Sequence, residues 1–183
     1  MNPIELLKQE HVVILRMGQD IERRLRSFRE QDQADPAYID TAVDFIRTYA
    51  DFCHHGKEEG ILFRALEKKK LEPPLVRLMK ELVQEHDWAR ATTKRLAEAN
   101  RAYAEGDTDQ LASGLRLLRQ IQSFYPGHIT KEESRFFNPC LEYFSEEELE
   151  TMLVEFAAFD RKVIHEKYLR LVETLSDEQL DPA

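Results

Sequence analysis

The chain has 183 residues, of which 42% are hydrophobic and 33% charged, with 6 Gly and 7 Pro, a balance that excludes a disordered or fibrous chain and leaves room for one globular domain. Its 35 acidic residues outnumber 26 Lys and Arg, giving a net charge of -9, so the nucleic-acid backbone should repel it. The longest apolar runs, such as Val12 to Leu15, fall far short of the roughly 20 residues of a membrane span, and with no secretory signal at the start the expected compartment is the cytoplasm, with neither membrane nor nucleic acid as a partner.

Ala, Leu, Glu, Lys, Arg and Gln dominate, and no segment alternates apolar and polar residues with β-branched enrichment, which predicts an all-α fold. Asn2-Pro3 is an N-cap followed by proline at the first helical position, opening a helix to about Gln31 with Ile4, Leu7, His11, Ile14, Leu15, Ile21 and Leu25 on one stripe. Asp35-Pro36 repeats the signal for a second helix to about Lys70, and Pro73-Pro74 opens a third that stops at Gly106. A fourth runs from about Asp107 to Asp109 as far as Phe144, and Pro126 is expected to kink or restart it. Ser145 and Glu148 form a capping box for a fifth, with Val154, Ala158, His165, Tyr168, Val172 and Leu175 on its protein-facing stripe. The expected architecture is one domain over residues 1–175: an up-down-up-down four-helix bundle at about 3–144, an additional C-terminal helix at about 145–175, and a frayed tail at 176–183.

Leu7, Gln9, Glu10 and His11 recur as Leu82, Gln84, Glu85 and His86, and His54, Lys57, Glu58, Glu59 and Phe63 recur as His128, Lys131, Glu132, Glu133 and Phe137. The first helix thus matches the third and the second matches the fourth. A duplicated helical hairpin closing into a bundle brings equivalent residues together around an approximate two-fold axis. His54 with Glu58, and His128 with Glu132, stand four apart on one helix face, while His11 and His86 lie on apolar stripes that point inward. Two bridging carboxylates with imidazoles on either side make a mixed nitrogen and oxygen shell suited to two iron or manganese ions, with open positions for a small ligand.

On His11, His54-His55-Gly56-Lys57-Glu58-Glu59, His86 and His128-Ile129-Thr130-Lys131-Glu132-Glu133, over roughly Leu7 to Leu141, the chain resembles the hemerythrin-like family of HHE cation-binding domains. The resemblance implies a left-twisted four-helix bundle around two iron ions, oxo- or hydroxo-bridged, that binds dioxygen or another small oxidant, or senses oxygen, redox state or iron. An enzyme acting on peroxide or nitric oxide, or iron delivery for repair, is the alternative. Respiratory members supply five histidines and two carboxylates, with two histidines a turn apart on the third helix. Here Leu82 and Arg90 flank His86 at that spacing, so the resemblance carries over six ligands: His11, His54, Glu58, His86, His128 and Glu132. The seventh position falls to His165, slightly favoured for its stripe, to His55, or to water.

The remaining residues have blander expected roles. Glu59 and Glu133 point away from the metals as supporting or surface acids, and Lys57 and Lys131 are solvated. Phe45, Tyr49, Phe52, Phe63, Phe124, Tyr125, Phe136 and Phe137 form core that keeps water out, with Tyr49 and Tyr125 as candidate hydrogen-bond donors to a ligand. Cys53 and Cys140 are buried small hydrophobes, and Trp88 packs at the bundle surface.

Overall fold

Asn2 caps the first helix as its neighbours dictate: its side chain accepts the Glu5 N–H at 3.0 Å and the Glu5 carboxylate accepts the Asn2 N–H at 2.9 Å, which satisfies two of the donors that a helix start leaves open. The computed structural model describes residues 2–160 and 167–173; among them there is no strand. Helix α1 spans Pro3–Gln31 and ends at Asp32, whose φ of 48° places it in the left-handed region. Asp35 caps α2, accepting from the N–H groups of Ala37 and Tyr38. That helix is α-helical over Pro36–Phe45, widens to π-helical geometry over Ile46–His55 and again over Glu58–Phe63, and closes with Arg64–Leu66. Helix α3 spans Pro73–Ala104, and Gly106 takes the turn after it with a φ of 104°, a conformation that costs glycine nothing. Helix α4 comprises Gln110–Lys131, a π-helical stretch over Glu132–Phe136, and Phe137–Leu141. The capping box of Ser145 and Glu148 starts α5, Glu146–Phe159, and residues 167–173 are helical again.

Helix α3 packs along α4 and α2, and α1 packs along α4. Two apolar clusters result. One gathers Ile14, Ile21, Phe45, Ala50, Leu96, Leu118 and Ile129 among others; the second gathers Ile4, Leu7, Leu62, Leu82, Phe136, Phe137 and Phe156. Each long helix passes from one cluster to the other, and in each a set of buried polar residues lies between: His11 in α1, His54 to Glu58 in α2, His86 in α3, His128 and Glu132 in α4. The polar layer is therefore closed off by hydrophobic packing on both sides.

Helix α4 runs through Pro126 without the restart that was one of the two outcomes expected there; the proline lies on the exposed face, where solvent can meet the Gln122 carbonyl that loses its N–H partner. Three expectations need correction. The fifth helix is not continuous over 145–175, because Asp160 is extended (φ -73°, ψ 102°) and ends it. Phe156 packs in the second cluster and Tyr168 in the first. Twelve residues of unbroken α-helix would leave them about 120° apart in direction, so a break lets each reach its own cluster. The protein-facing residues of α5 are Met152 and Phe156, whereas Val154, at 70% exposed, and Ala158 face outward. Phe52 is likewise exposed and stacks on Phe159 at 5.7 Å between ring centroids. No described helix is long and apolar enough to cross a membrane.

Candidate metal centre

The structure brings together all six residues carried over from the resemblance, and adds His55. Ligand atoms of His11, His54, Glu58 and Glu132 lie within 4.8 Å of one another, as do those of His55, His86 and His128, and all seven residues are buried. Within the first group His11 Nε2 is 3.2 Å from Glu132 Oε2 and His54 Nε2 is 3.7 Å from Glu58 Oε1. The carboxylates also reach the second group: His128 Nε2 lies 3.1 Å from Glu132 Oε1 and His86 Nε2 lies 3.5 Å from Glu58 Oε2. His165 lies outside the described residues.

Adjacent His54 and His55 are both buried although neighbours in an α-helix diverge by about 100°. They close a π-helical stretch, a geometry that recurs at functional sites, and they serve different donor groups: His54 belongs to the first, while the His55 ring stacks on His86 of the second with centroids 3.8 Å apart.

A second set of residues fixes the rings. His54 Nδ1 donates to Glu10 Oε2 at 2.9 Å and His128 Nδ1 to Glu85 Oε2 at 2.8 Å; His11 Nδ1 donates to Glu133 Oε1 at 2.8 Å and His86 Nδ1 to Glu59 Oε1 at 2.7 Å. These four bonds obey the internal repeat. A fifth, longer contact joins His55 Nδ1 to Asp51 Oδ1 at 3.4 Å. Carboxylates on Nδ1 set the tautomer that leaves Nε2 as the inward-facing donor atom and raise its basicity. Lys57 pairs with Glu10 and Lys131 with Glu85, and Arg90 ties Asp51 (2.8 Å) to Glu59 (2.6 Å).

Contrary to expectation, Lys57 is thus not solvated: it is 1% exposed, and Glu10 and Asp160 supply the counter-charges that make such burial tolerable; Lys131 keeps 18% of its side chain exposed while paired with Glu81 and Glu85. Sequence reasoning left Glu10, Glu85, Asp51 and Arg90 without a role. The signal for two of them was present, since Glu10-His11 and Glu85-His86 recur as pairs. Glu59 and Glu133 do act as supporting acids. Tyr125 is buried, and its hydroxyl has no hydrogen-bond partner among the described residues.

The electrostatics show strain that a cation would relieve. Burial, then the neighbouring Glu132 carboxylate, raises the Glu58 carboxyl well above its ordinary value. Burial also works against ionisation of Glu132, yet the ring nitrogens of His11, His128 and His86 around it hold it well below. Burial pushes His54 down to about 4, with His11 adding to the effect, and burial together with His86 and His54 depresses His55 strongly. Both oxygens of Glu58, both of Glu132, and Nε2 of His55 are buried without a hydrogen bond among the described residues. Carboxylate oxygens and an imidazole nitrogen gathered in a dry interior are costly unless something positive sits among them. Hard carboxylate oxygens with imidazole nitrogens suit a divalent or trivalent first-row metal, so the residues present fit a metal-ion site.

Comparisons with known proteins agree. Residues 2–140 match the family model for the Hemerythrin HHE cation binding domain. Neither the comparison with curated proteins nor that with solved structures returns a match. A family match over that span, on a chain whose matched part holds every residue of the histidine and glutamate cluster, establishes that the chain belongs to the hemerythrin HHE cation-binding family.

Proposed function

We propose that His11, His54, Glu58 and Glu132 hold one iron ion, that His55, His86 and His128 with the same two glutamates hold a second, and that the pair binds dioxygen or another small oxidant or senses oxygen, redox state or iron. Manganese is the alternative metal. The observation that carries this reading is the division of seven buried donor residues into two adjoining groups. If Glu58 and Glu132 bridge, one ion has three imidazoles and two carboxylates and the other has two of each, so the two-histidine ion has more room for an outside ligand. Iron would supply accessible redox states and that open coordination position. The protein's own residues orient the rings through Glu10, Glu59, Glu85 and Glu133 and keep bulk water away through the two apolar clusters.

In this reading the four long helices form an up-down-up-down bundle within a single domain over residues 1–175, and the protein acts in the cytoplasm without a membrane or nucleic-acid partner. The open two-histidine position also favours a second reading, a di-iron enzyme acting on peroxide or nitric oxide, or an iron donor for repair. Metal analysis and absorption spectroscopy test the proposal. Iron-grown protein is expected to contain two iron ions per chain, to absorb in the near ultraviolet, and to change on reduction and on adding azide. Two ions with no response to either would mark a saturated structural site, and no bound metal would defeat the reading. Peroxide turnover by the loaded protein would select the enzyme.

A further inference from the structure

The two duplicated lysines have the same inner partner and different outer ones. Lys131 pairs with Glu85 and, at 2.5 Å, with Glu81 on the exposed side of α3, and its side chain is 18% exposed. Lys57 pairs with Glu10 and lies 3.3 Å from Asp160 Oδ2, the residue that ends α5. Glu81 belongs to the family-matched span, whereas Asp160 lies beyond residue 140. The end of α5 is firmly seated. Phe159 stacks on Phe52 and covers Gly56, where an added Cβ would come within 2.8 Å of the Phe159 ring, and the Phe156 ring centroid is 5.9 Å from Lys57 Nζ.

We propose that Lys57 and Asp160 are positioning residues for the two-histidine half of the centre. Asp160 holds the Lys57 ammonium, Lys57 orients the Glu10 carboxylate, and Glu10 accepts the Nδ1–H of His54, so that Nε2 of His54 faces the cation. This inference rests on the metal reading above and adds that a segment outside the family's span completes one of the two positions. A buried ammonium held from both sides has one preferred place. Held from one side only, it can draw Glu10 away from the His54 ring. Partners of this kind change metal affinity by about 10- to 100-fold when removed, and the effect should fall on one position because Lys131 and Glu85 serve the other.

The test is a cobalt(II) titration of the full chain, followed by visible absorption and by metal analysis, on the wild type, Asp160→Asn, Asp160→Glu and Lys131→Met. Asp160→Asn is expected to weaken one of two binding steps about tenfold while the other stays within about twofold. Asp160→Glu should restore it, and Lys131→Met should weaken the other step. Asp160→Asn with two wild-type steps, or with both steps weakened equally, overturns the inference, as does a lowered melting temperature with unchanged binding. A wild type that binds no cobalt defeats the metal reading itself. Two wild-type steps in Asp160→Asn defeat only the role of Asp160.

Discussion

The Nε2 atoms of His11 and His54 face each other across 3.0 Å, and the far nitrogen of each ring is already bonded to a carboxylate. His86 and His128 repeat the arrangement at 3.2 Å. Facing ring nitrogens at this distance need a proton or a cation between them. In the metal-free protein His11 and His86 hold a proton more readily than a free imidazole: burial opposes their ionisation, yet Glu132 with Glu133, and Glu132 with Glu59, raise them above the ordinary 6.5.

Metal binding should therefore expel protons. A cation competes with protons on His11 and His86, so apparent affinity falls as pH drops below their raised values, by about tenfold per pH unit for each proton displaced, and levels off above them. Calorimetry of cobalt binding in two buffers of different ionisation enthalpy counts the protons. Identical heats in both buffers, with affinity flat from about pH 6 to 8, would be incompatible with shared protons at these pairs.

Removing His55 should cost one ion. Its ring is stacked on His86, and its Nε2 is buried without a hydrogen-bond partner among the described residues, so His55→Ala is expected to lower iron content from about two per chain toward one. His165→Ala is expected to keep both. Elemental analysis after gel filtration distinguishes them; full loading of His55→Ala together with loss in His165→Ala would reverse the assignment.

Glu58→Gln should separate folding from metal binding. Burial and Glu132 already keep the Glu58 carboxyl protonated well above its ordinary value, so a neutral amide of the same shape changes metal-free stability by less than about 1 kcal/mol. The same change would remove one of the two carboxylates proposed to hold the metal. Thermal melts with and without iron are expected to show similar metal-free midpoints and loss of most of the stabilisation that iron gives the wild type. A strongly destabilised metal-free variant would contradict a neutral Glu58.

Gly56→Ala should be unfavourable despite lying in a helix. Alanine there normally gains about 0.5–1 kcal/mol over glycine, but the new methyl meets Phe159 at 2.8 Å, and overpacking of this kind costs about 1–3 kcal/mol. A lowered urea midpoint is expected in the single variant. In a Phe159→Ala background the same change should become neutral or stabilising, and an equal loss in both backgrounds would show that the clash is not the cause.

Much of this was legible in the sequence, and the reasons are physical. Proline at the first helical turn, capping asparagine, aspartate and serine, and the glycine at 106 act locally, so they fixed four helix starts and one end without tertiary information. The repeat singled out His11, His54, His86, His128, Glu58 and Glu132, which the structure gathers in two adjoining groups, because duplicated helix pairs keep matched spacing. His55 stayed undecided because a residue next to His54 points about 100° away from it, and the His86 ring it stacks on is brought to it only by helix packing. Lys57 was misread because lysine is nearly always solvated; its burial depends on Glu10 and Asp160, which lie 47 and 103 positions away along the chain. The end of α5 was missed for a related reason, since the separate apolar clusters claimed by Phe156 and Tyr168 exist only once the helices have packed.

The matched halves are joined in one polypeptide, and that linkage is what permits the two donor groups to differ. A symmetric pair of identical hairpins would have to present every side chain twice, so a histidine at the place of His55 would appear on both sides, and each lysine would meet the same outer acid. Here the place equivalent to His55 is taken by Ile129, and the outer acids are Asp160 and Glu81. Covalent fusion frees each half to change independently, so one donor group can carry three imidazoles while its neighbour carries two. In the two-ion reading proposed above, the consequence would be a division of labour, one cation retained by a fuller shell and the other left exchangeable toward incoming molecules.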